Sequence, residues 1–226
     1  MYGGVFLDNL KQLLNKKIHV KITPEICFDG ILTDIGDDIV VLFDGQRYLY
    51  IPLVHVHKIK LSRSNEEIGE PTGFLLPKQT ESISYHTILT NAKMLFIEIH
   101  VLGNQSLHGY ITDVLNDYFV FYSPIYKTMY ISLDHLKWLT PCNQNITPYT
   151  LNKELLPVKP SLTIASASWK EQLKKLENNF VVFDMGEESD KIGLLKKIEN
   201  NLIELITANG ETMHLNLTHI KSVHAP

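Results

Sequence analysis

With 226 residues, 44% hydrophobic and 20% charged side chains, the chain has the composition of a folded globular protein and is long enough to bury a sizeable core. Its 21 basic and 25 acidic residues leave a formal charge of -4, which argues against a large nucleic-acid partner, because such partners are held by neutralising phosphates. Cys27 and Cys142, at non-equivalent places, make no disulfide framework, no apolar run reaches membrane-spanning length, and residues 1–7 lack the features of a signal peptide, so synthesis in the cytosol is expected.

In chain order, the first expected element is an amphipathic helix, with Phe6, Leu7, Leu10, Leu13 and Leu14 on one face. Residues 17–23 alternate polar and apolar, the pattern of a strand with one wet face. Strands are then expected at 26–35, 39–43, 47–51 and 54–61, separated by turns at Gly36-Asp37-Asp38 and Asp44-Gly45. A linker follows at 62–82, whose Phe74, Leu75 and Leu76 are expected to dock it as an ordered strap.

A second set opens with a weaker helix around Tyr85 and Leu89, alternates at Leu95, Ile97, Ile99 and Val101, and turns at Asn116-Asp117. Pro124 stands where the first set has its Asp-Gly hairpin turn, so a different loop is needed there. Beyond a second linker at 142–165, carrying Leu155 and Leu156, Ser168-Trp169-Lys170-Glu171 reads as a capping box opening a helix with Trp169, Leu173 and Leu176 on one face. The third set turns at Asn200-Asn201 and Asn209-Gly210.

Each set closes on nearly the same phrase. Tyr50-Ile51-Pro52-Leu53-Val54-His55 returns as Tyr130-Ile131-Ser132-Leu133-Asp134-His135 and as His214-Leu215-Asn216-Leu217-Thr218-His219. Upstream, Gly30, Gly109 and Gly193 keep step inside the long second strand, where a missing side chain permits a sharp bend or close backbone approach. The period of about 80 residues is too long for a solenoid unit and suits a small domain, which predicts three domains at 1–61, 83–141 and 166–226. Each would be a short helix followed by a bent five-stranded antiparallel sheet.

The recurrent histidines invite a metal-binding or pH-sensing reading, against which stands a hydrogen-bonded histidine at the turn into the last strand. His55 and His57 would share one side of a strand, but Lys137 and Lys221 replace the second histidine in the other sets, so metal is not the common design. Asp34 and Asp113 give way to Lys197, and no phosphate loop, nucleophile elbow or zinc spacing is present, so neither catalysis nor a cofactor is expected.

The order of helix, strand, Gly-bent strand and terminal apolar-x-apolar-x-His-apolar phrase resembles the Sm-like barrel of the bacterial RNA chaperone and the eukaryotic Sm proteins. With three copies, the last ending in Asn216-Leu217-Thr218-His219-Ile220-Lys221-Ser222-Val223, the chain more specifically resembles the spore coat protein B family of spore-forming bacilli. Members of that family carry a long Ser- and Lys-rich tail without counterpart here, so nothing that tail brings is carried over. The resemblance implies three tandem Sm-like small β-barrels in a non-catalytic structural or scaffold protein. Such a protein is made in the cytoplasm, deposited on the spore coat, and partnered by other coat or scaffold proteins or by itself.

Sm-like units expose the edges of their fourth and fifth strands, and fusing three would satisfy two joints and leave one edge at each end. The expected assembly edges are Tyr48, Leu49, Tyr50 and Ile51, and Met213, His214 and Leu215. An Sm-like RNA-binding or regulatory protein is the alternative. For it, Tyr48, Tyr50, Tyr118, Tyr122, Tyr126 and Tyr130 are the aromatics that could stack bases, although Asp37 and Asp38 would repel phosphate.

Overall fold

Fifteen strands, all paired antiparallel, dominate the described residues, so the molecule is mainly β with few helices. A computed structural model describes residues 9–77, 83–103, 105–145, 148–150 and 165–226. Phe6, Leu7, Leu155 and Leu156 lie outside them. The chain divides into two compact units, 1–100 with 137–150, and 101–136 with 151–226.

In the first unit, β1 (Lys17–Lys21), β2 (Cys27–Ile35), β3 (Ile39–Phe43), β4 (Tyr48–Pro52) and β5 (Lys58–Leu61) are followed by α1 (Tyr85–Asn91), β6 (Phe96–Leu102) and, later in the chain, β10 (Trp138–Pro141). Their order is β6-β10-β4-β3-β2-β1-β5. The alternation at 17–23 appears as expected, with Ile18, Val20 and Ile22 fully buried. They form a core with Leu32, Val40, Leu42, Leu49, Ile51 and Trp138. Ser84 caps α1 by accepting from the Thr87 N–H at 3.2 Å.

The second unit holds β7 (Gln105–Val114), β8 (Tyr118–Ser123), β9 (Lys127–Ser132), α2 (Trp169–Lys174), β11 (Phe180–Phe183), β12 (Ile192–Glu199), β13 (Leu202–Ile206), β14 (Thr212–Asn216) and β15 (Ser222–His224). Their order is β14-β13-β12-β11-β15-β9-β8-β7. Trp169 and Leu173 of α2 pack into the same core as Val181, Phe183, Leu195, Leu205 and Val223, and Ser168 caps the helix. Strands of the expected middle domain fall in both units, β6 and β10 in the first, β7, β8 and β9 in the second.

Three local features recur. A Cβ on Gly30, Gly109 or Gly193 would lie 2.5, 2.2 or 2.2 Å from the carbonyl oxygen of Phe43, Tyr122 or Ile206, so each glycine permits close backbone approach by the neighbouring strand. Two residues further on, the long strand carries a register shift, between Leu32 and Asp34, Ile111 and Asp113, and Leu195 and Lys197. Asp34 and Asp113 accept from the next residue's N–H at 2.9 and 3.0 Å, a backbone role beside each bulge.

The closed barrels expected from the sequence are not what forms. β4 and β9, which would have to close their own five-stranded sets, pair instead with β10 and β15, and in neither unit does the strand order return on itself. A fifth strand beginning at Val54 is likewise corrected. Leu53–His55 is a 3-10 turn, and β5 starts only at Lys58.

Candidate assembly edges

The closing phrases share one conformation. Leu53–His55, Leu133–His135 and Leu217–His219 are all 3-10 turns, each ending on the recurrent histidine and swinging the chain into the last strand of its set. His135 Nε2 lies 3.0 Å from the Thr218 carbonyl oxygen, His55 is half-buried and His219 is exposed, so the three imidazoles do not share an environment. Because His55 ends a turn, it does not alternate with His57 along a strand as the sequence suggested. Among the described residues no group of three His, Cys, Asp or Glu is placed to hold a metal ion.

Two joints between successive sets lie within the units, and both match a fourth strand with a fifth. β4 meets β10 with Leu139 opposite Tyr50, and β9 meets β15 with Ser222, Val223 and His224 opposite Ile131, Tyr130 and Met129. The second joint extends through the Ser132 N–H, which donates to the Lys221 carbonyl at 3.0 Å. The buried carboxylate of Asp184 fixes the start of β15, accepting from the N–H groups of Lys221 and Ser222 at 2.8 and 3.0 Å, with Lys191 Nζ 3.1 Å away. Burial works against the charge of Lys191, but the hydrogen bonds it donates to Glu188 and Asp184 outweigh this and raise the ammonium above its ordinary range.

The fifth strands feed side chains into the surface they cover. Trp138 of β10 enters the core of the first set, edge-on to Phe28 at 5.0 Å and stacked on His100 at 4.0 Å. In β15, Ser222 is fully buried and His224 nearly so, and burial, which disfavours the charged ring, lowers the His224 pKa from its ordinary 6.5.

These joints decide which edges stay open. Tyr48, Leu49, Tyr50 and Ile51, expected as an assembly edge, are buried and lie in a strand flanked by β3 and β10, so that edge is occupied within the chain. Tyr50 also accepts from the Leu76 N–H at 2.9 Å, which seats the first linker, and its burial pushes the phenol up to about 12. Met213, His214 and Leu215 belong to β14, which among the described residues pairs with β13 alone and ends its unit's strand order. At the end of the other order stands β5, which among the described residues pairs with β1 alone.

The signal that separates these strands is legible in retrospect. Tyr48-Leu49-Tyr50-Ile51-Pro52 is buried at every position, the mark of a strand covered on both faces, whereas Thr212-Met213-His214-Leu215-Asn216 alternates exposed and half-buried. Sequence reasoning missed Lys58 and Lys60 of β5, which are exposed on the second open edge. A shallow cavity of about 220 Å³ beside β14 is lined by Lys197, Glu199, Glu204 and His214 among others, but Lys197 and Glu199 pair with each other at 2.6 Å. A larger hollow of about 810 Å³ in the first unit, near Cys142, is lined by Arg47 and Glu98 among others, and these two are likewise engaged with each other, Arg47 Nη1 to Glu98 at 2.6 Å.

By fold and site this is a mainly β, antiparallel protein whose repeated strand sets are joined by strand pairing, with β5 and β14 open on one side among the described residues. The chain belongs to the YwrJ family. It is 46% identical to the YwrJ protein of Bacillus subtilis (strain 168) over 225 residues, covering 97% of this chain and all of that one. Residues 168–223 match the family model described as the YwrJ third domain. A more distant similarity, 27% identity over 146 residues, is to spore coat protein B of the same organism. It covers 64% of this chain and 36% of the coat protein, so the chain spans about a third of that relative's length.

Proposed function

We propose that this protein is a non-catalytic structural component of the spore coat, built from three copies of a small Sm-like unit and assembling through its sheet edges. The observation that carries the reading is the strand joint: β4 to β10 and β9 to β15 are formed in the same way, and among the described residues no strand covers the corresponding edge of β14. A repeated joint that stops one short is an assembly surface of the strand-addition kind, with main-chain hydrogen bonds giving affinity and alternate side chains giving specificity. The similarity to spore coat protein B supports the location, and through it the partners, other coat or scaffold proteins. RNA binding loses support because Tyr48, Tyr50 and Tyr118 are buried and cannot stack bases, and because Asp38 and Asp117 accept from the Tyr85 and Trp169 N–H groups at 2.7 Å.

The test is a fluorescent fusion of the full chain in a sporulating bacillus, followed by extraction of purified spores. The reading expects fluorescence around the forespore and recovery of the protein with the coat fraction. Diffuse fluorescence throughout the mother cell, with none on released spores, contradicts it.

A further inference from the structure

The two open edges are not alike. In both internal joints the fifth strand carries two alternating side chains that are buried: Trp138 and Thr140 in β10, Ser222 and His224 in β15. Between them lies an aliphatic residue, Leu139 or Val223, fully buried. The closing phrases align β5 with these strands, so that Lys58 takes the place of Trp138 and Ser222, and Lys60 that of Thr140 and His224. Ile59 packs on its own core as the central aliphatic residue, while both lysines are exposed.

Carried to β14, the register of the β9–β15 joint sets the incoming strand's central residue opposite His214 and its flanking residues opposite Leu215 and Met213. Both of these already pack on the second unit's core. If β5 of another copy docked there, Lys58 and Lys60 would be pressed onto that apolar face. A buried, unpaired ammonium is far costlier than a strand joint is favourable, and lysines on an edge are a recognised device against strand addition.

We propose that β14 is a receiving edge and β5 a blocked one, so that the strand completing β14 comes from a different protein, as an extended segment with an aliphatic residue between two uncharged ones. This rests on the assembly reading above and adds that the chain is a one-ended element, unable to extend head to tail with itself.

The experiment is light scattering on the purified full chain across a concentration series, comparing wild type, Lys58→Ser/Lys60→Thr, and that double variant with Met213→Lys added. Circular dichroism of each variant establishes that it is folded. The mass of the wild type should stay constant, that of the double variant should grow with concentration into multiples of one chain, and Met213→Lys should abolish the growth. A folded double variant that stays at the wild-type mass overturns the proposal. So does a wild-type oligomer that Met213→Lys dissolves, since β14 would then accept this chain as it stands. These outcomes are read in purified protein and do not depend on deposition on spores, so failure of the edge assignment and failure of the coat role are told apart.

Discussion

Single residues carry much of the conformational instruction, and some depart from what their neighbours in the repeat do better. Asn15, Met94 and Asn178 occupy equivalent places before the first strand of each set, all with positive φ of 60°, 63° and 65°. Asparagine tolerates that backbone, whereas Met94, half-exposed, gains nothing there. Met94→Asn should therefore raise stability by about 0.5–1 kcal/mol, read from the urea midpoint. Gly193→Ala should do the reverse by about 2–3 kcal/mol, because its Cβ would lie 2.2 Å from the Ile206 carbonyl oxygen, a backbone atom that cannot swing aside. Gly69→Ala, with nothing within 4 Å of the new methyl, is the neutral control. The glycine spacing was visible in the sequence, but the positive φ at Met94 was not, since a methionine gives no sign of a left-handed backbone.

Among elements, strands with one wet face were readable from alternation, as in residues 17–21, and the capped start of α2 was readable from Ser168 and Glu171. Which strand pairs with which was not. β4 looks like an edge from its place in the repeat, and only the pairing of Tyr50 with Leu139 reveals the second neighbour. Local pattern encodes how many faces a strand covers, while the identity of the covering strand is a long-range fact set by the chain after it. The β9–β15 joint has a consequence for pH. Burial lowers the pKa of His224 below 6.5, so the unfolded chain takes up a proton there before the folded one does. Its contribution is whole above about pH 6.5 and is lost as pH falls toward the lowered value. His224→Thr, the residue at the matching place in β10, should remove this part of the acid sensitivity. The urea midpoint of wild type should drop more than that of the variant between about pH 7.5 and about pH 5.5.

For the whole molecule, the formal charge of -4 and the closing phrase repeated three times were both legible at the outset, and both point away from phosphate recognition and toward a building element. Purified protein should accordingly elute with the absorbance ratio of protein alone and be unaffected by nuclease. What the sequence concealed is the asymmetry of the ends, because Lys58 and Lys60 read as ordinary surface charges until β10 and β15 show what that face of a fifth strand does when it is covered. The most direct measurement compares spores carrying fluorescent fusions of wild type, Met213→Lys and Val54→Lys. Val54 is 77% exposed on a 3-10 turn of the unit that does not hold β14, so its variant controls for added charge. The account predicts that wild type and Val54→Lys coat the spore while a folded Met213→Lys stays diffuse; deposition of Met213→Lys at the wild-type level would contradict it.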